Sequence, residues 1–214
     1  MKTRIAILVI IQSVVLLIGC DLLFAWTGET WGPISREEIL RRASEMINLS
    51  WSPLKNISNQ YTLSEPRHSY NAGTIYHGVA YNRYNDPVDN WAQFYPKVNS
   101  VSCSGTRCLT SYGNECSSFV SIAWRLPTRH NTTAFENDAV SEGGYATKLG
   151  EIGSGQNVAR SLLPGDAFVS AGNHIVLFEQ LYYNPDTGSN DGIYALEQTP
   201  PYAVRKSFSS WDKL

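Results

Sequence analysis

Four cysteines and four histidines carry most of the nucleophilic and acid–base potential of this chain. Cys116 stands out by its setting, Gly113-Asn114-Glu115-Cys116-Ser117-Ser118-Phe119-Val120-Ser121-Ile122-Ala123-Trp124. A loop rich in Ser, Gly and Thr runs there into an apolar stretch in which Phe119, Val120, Ile122, Ala123 and Trp124 recur at helical spacing. The cysteine therefore falls in the first turn of a helix. Free backbone N–H groups and the positive end of the helix dipole favour thiolate at such a position. A thiolate needs a base, usually histidine, held by a third polar group. His68 lies in an irregular stretch, His77 in an aromatic segment (residues 73–84) and His130 in a long polar one. Only His174 opens a strong strand, 58 positions after Cys116, where a scaffold can aim it. The expected chemistry is attack of a cysteine on an acyl carbon, with His174 as base.

The other three cysteines separate by context. Lys2 and Arg4 precede residues 5–18, fourteen uncharged and mostly apolar positions, the pattern of an export signal. Leu17-Ile18-Gly19-Cys20 matches a bacterial lipobox, in which Cys20 is lipidated and becomes the mature N-terminus. Two alternatives stand beside it: cleavage after Ala25, or an uncleaved anchor, since residues 22–25 carry the apolar run past Asp21 to about spanning length. Cys103 and Cys108, five apart in a Ser/Gly/Thr loop, suit a disulfide that closes the loop and firms the approach to Cys116. The competing arrangements are two free thiols, or a bridge from one of them to Cys116.

The elements that must position these groups read as follows. Residues 1–25 form the leader, 26–34 a tether and 35–214 one domain. Ser35-Arg36-Glu37-Glu38 is a capping-box signature, and Ile39, Leu40, Ala43, Met46 and Ile47 continue it as a helix to about Leu49. Residues 51–67 read as loop with turns, and 91–98 as a short helix. The Cys116 helix must stop before Leu126-Pro127. Residues 128–156 read as a long surface excursion forming a wall of the cleft. Leu163-Pro164-Gly165-Asp166 is a turn, 167–170 a strand, 174–183 a second strand, 184–192 a hairpin loop and 193–198 a return strand. Helices followed by antiparallel strands make the chain α+β.

At this point the motifs resemble a known family. Asn-Glu-Cys116-Ser-Ser-Phe-Val is similar to the Asp-Cys-Ser-Gly/Ala-Phe-Val box of NlpC-type cell-wall endopeptidases and the related CHAP amidases. Pro164-Gly165-Asp166, followed by Asn173-His174-Ile175-Val176, resembles their entry into the histidine strand. Leu196-Glu197-Gln198-Thr199 resembles the CHAP motif Ser-Glu-Gln-Asn. The resemblance implies a papain-like fold and hydrolysis of amide bonds in peptidoglycan, in stem peptides or at the sugar–peptide link. It implies Cys116 as nucleophile, His174 as base and later acid, Glu197 as holder of the imidazolium, and the Cys116 backbone N–H in the oxyanion hole. Tyr81 and Glu115 would border the thiol as cleft residues. Glu115 replaces the family's usual Asp, and Thr199 replaces the Asn that follows the CHAP Glu-Gln.

The third member depends on strand register. With Glu197 opposite Val176, its side chain shares a face with His174; with Glu197 opposite Glu179 it points away, and Gln198 takes that face. The expected partner is peptidoglycan or a peptide, met by a monomer attached to the envelope through its leader or lipid, or secreted. A formal charge of −2 supplies no basic field for nucleic acid. No metal-ligand spacing or phosphate-cradling glycine loop occurs, so no cofactor is expected. A non-catalytic, aromatic-rich wall-binding domain on the same scaffold, or an acyl transferase with the same thiol chemistry, are the alternatives.

Overall fold

The computed structural model describes residues 34–59, 68–82, 96, 98–99, 102–104, 107–109, 113–140, 145–150 and 161–209. The leader with Cys20, the tether up to residue 33, and most of the helix expected over 91–98 lie outside them. The first element, α1 (Arg36–Asn48), starts where the capping signature places it: Ser35 accepts the Glu38 N–H at 3.1 Å. The Glu38 carboxylate turns instead to Arg41, at 2.6 Å. Ile39, Ala43 and Met46 form its buried face.

Short strands follow α1, and one of them, with the end of another, falls in residues 51–67, the stretch expected as loop. β1 (Ser50–Trp51), β2 (Ile57–Asn59), β3 (His68–Tyr70), β4 (Tyr76–His77), β5 (Ser102–Ser104) and β6 (Arg107–Leu109) pair as β1–β4, β2–β3 and β5–β6. Strands of two or three residues are too short to show an alternation, which is why the sequence hides them. In the β5–β6 ladder Cys103 and Cys108 are directly opposed Cα partners; their side chains lie outside the described set.

Next comes α2 (Cys116–Ala123), every residue of which is buried. It ends as expected before Leu126-Pro127. Arg125 takes a left-handed φ of 54°, and the Leu126 N–H closes on the Ser121 carbonyl at 2.9 Å, a Schellman-type stop. Arg42 of α1 donates to the last-turn Ile122 carbonyl at 2.8 Å, which also accepts the Arg125 N–H at 3.0 Å, so the stop of α2 is tied to α1. The long excursion expected after α2 contains a helix, α3 (Thr132–Val140). Asn131 begins it by accepting the Ala134 N–H at 2.8 Å, a side-chain cap inside a segment whose apolar residues are too few for a clear period.

The second half is a four-stranded antiparallel sheet in the order β10-β9-β8-β7, from β7 (Ala167–Ser170), β8 (His174–Asn184), β9 (Ser189–Thr199) and β10 (Tyr202–Phe208). The fold is thus α+β. On one face Ile175, Leu177, Leu196 and Ala203 pack with Ile39, Ala43 and Met46 of α1 and with Phe119, Val120, Ile122 and Ala123 of α2. On the other, Val176, Phe178, Ile193, Ala195 and Phe208 make a smaller cluster. Each fully buried large aliphatic or aromatic side chain contributes about 1.5–3 kcal/mol of transfer free energy, so the sheet holds both helices in place chiefly by burial. The hairpin loop expected over 184–192 is much tighter: β8 runs to Asn184, β9 starts at Ser189, and Gly188 turns the chain with φ 68°. Strand β10 was not foreseen.

Candidate active site

The sheet brings a histidine and a buried carboxylate together. His174, first residue of β8, places Nε2 2.6 Å from Glu197 Oε2 on β9. The Glu197 side chain is only 1% exposed, that of His174 41%. The ladder pairs Leu177 with Leu196; one step further, Val176 stands opposite Glu197 and the first of the two registers holds. Both β8 and β9 carry one extra residue along the hairpin, Glu179 on one and Asp191 on the other. These bulges cancel, so the parity set by the short turn reaches the His174 end of the sheet. Gln198 lies on the opposite face, fully buried, donating to the Val79 carbonyl at 2.9 Å. It has no place beside His174.

A lysine that sequence reasoning passed over completes this group. Lys206 on β10 sets Nζ 3.3 Å from Glu197 Oε1, within ion-pair distance but off hydrogen-bond geometry. Its only sequence signal is alternation with Val204 and Phe208 in a strand that went unrecognised. Burial pushes the Glu197 carboxyl up. The hydrogen bond and charge of His174, with Lys206, outweigh it and hold the group below the ordinary carboxylate value.

Cys116 occupies the start of α2, 8% exposed. Its electrostatics differ from the expectation. Glu115 is the N-cap, and its carboxylate accepts the Ser117 N–H at 3.1 Å and the Ser118 N–H at 2.8 Å. The free N–H groups that were to stabilise a thiolate are thereby occupied by a negative charge. Burial, the Glu115 charge and the Sγ–H to Glu115 Oε2 hydrogen bond at 3.3 Å push the thiol up to about 12, against smaller opposing pulls from the backbone N–H groups of Ile175 and Ser117. These influences favour the thiol over the thiolate at neutral pH. The Ile175 interaction also locates it: the sulfur meets the backbone of the residue that follows His174. Cys116 is a free cysteine, so the arrangement bridging it to Cys103 or Cys108 is absent.

The remaining sequence candidates are placed as follows. Tyr81 lies in the segment that pairs, in parallel, with Asn114, two residues before Cys116; the Asn82 N–H reaches the Asn114 carbonyl at 2.8 Å. Tyr81 thus borders the entry to α2, and His68 meets its ring edge-on at 6.4 Å between centroids. His77 is exposed and contacts Ser50 Oγ at 3.0 Å. His130 is bound into the loop before α3, with Nε2 2.8 Å from Asp138 and its ring against Phe135 and Tyr145. The Pro164-Gly165-Asp166 turn anchors the near side of the sheet: Gly165 accepts the Trp124 indole N–H at 2.9 Å, and Asp166 pairs with Arg36 at 2.7 Å. Thr132 of α3 accepts the Gly172 N–H at 2.9 Å, steadying the turn that leads into His174.

Among the described residues no three His, Cys, Asp or Glu side chains gather as metal ligands would, and no helix is long and apolar enough to cross a membrane. No protein-family model, curated protein or solved structure matches the chain.

The two buried carboxylates carry a prediction about acid stability. Burial raises Glu115, but Ser117, Arg129 and Cys116 together lower it further, as His174 and Lys206 do for Glu197. A carboxyl lowered by folding contributes stability that is present above its unfolded value and lost as pH falls through the folded one. The thermal midpoint is expected to hold near neutrality and to fall as pH drops below about 4.5. The fall should be shallower in Glu197→Gln; parallel curves for both proteins would show that Glu197 is not linked to folding.

Proposed function

We propose that this protein is a papain-like cysteine hydrolase of amide bonds, with peptidoglycan as its substrate class. The observation that carries the reading is the His174–Glu197 pair at the head of β8, with a free thiol at the start of a buried helix meeting the backbone of the next residue, Ile175. Glu197 takes Nε2, so Nδ1 is the nitrogen that serves the thiol in this reading. As Sγ attacks the carbonyl carbon, its proton passes to Nδ1 and the carbonyl electrons move to oxygen. The Cys116 N–H, which no described residue accepts, is free to bind that oxygen. Nδ1 then returns the proton to the leaving nitrogen as the C–N bond breaks. Water attacks the thioester, giving up its proton to Nδ1, and release of the acid restores the thiol. Because the thiol starts protonated, proton transfer accompanies attack, and Glu197 balances the imidazolium while it lasts.

The test is incubation of the protein with purified peptidoglycan, with the masses of released fragments read against the Cys116→Ser variant. Fragments ending in new amines and carboxylic acids are the expected product. One observation favours a second reading: a thiol this buried and bound to Glu115 also suits a wall-binding domain that does no chemistry. Retention on peptidoglycan with no released fragment would select it.

Glu197→Gln is expected to lower kcat about 10²–10⁴-fold with the fold intact, since an amide can donate to Nε2 and stabilise the tautomer whose Nδ1 bears the proton. An unchanged kcat would remove Glu197 from the mechanism.

A further inference from the structure

Glu115 does more than cap a helix. Asp, Asn, Ser and Thr suit an N-cap because their short side chains reach the N2 and N3 amides directly. Glu115 carries one methylene more, and its carboxylate folds back over the whole first turn. Oε1 accepts from Ser118 N at 2.8 Å, from Ser118 Oγ at 3.0 Å and from Ser117 Oγ, and meets Arg129 Nη2 at 3.0 Å. Oε2 accepts from Ser117 N at 3.1 Å and from the Cys116 thiol at 3.3 Å. The residue is itself 8% exposed. A cap needs only the two amide bonds. The others lock the carboxylate so that one oxygen is directed at sulfur. Arg129 belongs to the loop between α2 and α3, which is fastened by the His130 N–H to Ser121 Oγ at 3.0 Å and by His130 to Asp138.

We propose that Glu115 is a positioning residue that parks the Cys116 thiol as S–H on its Oε2, keeping it unreactive until an acyl substrate draws the sulfur to His174. A negative charge beside sulfur disfavours thiolate, and a hydrogen bond accepted from S–H fixes the side chain. Cys116 is pushed up to about 12, consistent with this arrangement. The titratable and charged groups around the thiol are Glu115 at its own helix start and Arg129 from the following loop. From β8 there is His174, backed by Glu197 and Lys206, and beside Asn114 there is Tyr81, with His68 at its edge. Of these, Glu115 is the group that accepts a hydrogen bond from the sulfur. The catalytic half of the proposal rests on the hydrolase reading; the guarding of the thiol does not.

The test is the rate at which iodoacetamide modifies Cys116, followed by peptide mass against pH, in wild type, Glu115→Gln and Glu115→Asp. Glu115→Gln removes the charge and should raise the rate at pH 8 at least about tenfold, with the pH profile moved to lower pH. Glu115→Asp keeps the charge and the cap but shortens the reach. It should keep the wild-type thermal midpoint within a few degrees and still label faster than wild type. If both variants label at the wild-type rate while only the midpoint of Glu115→Gln falls, Glu115 is a cap alone and the proposal is overturned. No substrate enters this measurement, so its failure leaves the hydrolase reading standing, and inactivity toward peptidoglycan leaves the guard standing.

Discussion

Cys116→Ser and His174→Ala are each expected to abolish the proposed amide hydrolysis, with a loss of at least about 10⁴-fold in kcat/KM. The serine is nearly isosteric in a site that is 8% exposed and already flanked by Ser117 and Ser118, so the helix should form unchanged. Its hydroxyl is a weaker nucleophile that His174 must deprotonate from a still higher starting point. His174→Ala removes the proton acceptor and strands Glu197, whose other partner, Lys206, lies 3.3 Å away. Because thiol and imidazole act in the same step, the double variant should be no worse than either single one. Losses that multiply would mean that the two residues act independently, and the proposed dyad would fall. Circular dichroism on each variant separates loss of chemistry from loss of fold.

The second large effect is on stability. Gly78→Ala is expected to cost about 3 kcal/mol or more, a drop of roughly 6–12 °C in the thermal midpoint. Gly78 has φ +85°, and a Cβ built on it would lie 2.2 Å from the Ala203 carbonyl oxygen of β10. That oxygen is backbone and cannot step aside without disturbing the ladder. The same residue accepts the Trp51 indole N–H at 2.8 Å and donates to the Leu49 carbonyl at 2.9 Å. It therefore ties the end of α1 to the edge of the main sheet. Gly73→Ala is the control: φ is +76° but nothing lies within 4 Å, so only the left-handed backbone is penalised, at about 1 kcal/mol. Equal losses at the two positions would show that crowding against β10 contributes nothing.

Much of the framework was legible in local patterns. The Ser35 cap and the spacing of Ile39, Ala43 and Met46 mark α1, because capping and amphipathic burial act within a few residues. The same holds for the start of α2 at Cys116, its stop before Pro127, the Pro164-Gly165-Asp166 turn and the opening of β8 at His174. The small ladders β1–β4, β2–β3 and β5–β6 were not legible, since each strand is too short to show a period. Nor was β10, which owes its place to pairing with β9 from Tyr202↔Thr199 to Phe208↔Ile193.

The sequence by itself determined which groups are available: a cysteine at a helix start, a histidine at a strand start and a glutamate in the return strand. Tertiary structure decided how they are arranged. Whether Glu197 or Gln198 meets His174 is a matter of parity, since side chains alternate and a slip of one residue turns each to the other face. That parity is set by a four-residue turn and two cancelling bulges, none of which shows in the composition of either strand. The state of Cys116 was likewise undecided locally. The helix start favours thiolate until Glu115 folds over it, held by Arg129 fourteen residues along the chain, and the charge nearest the sulfur becomes negative. Dipole and cap are local, but the reach of one extra methylene and the docking of a distant guanidinium set the sign.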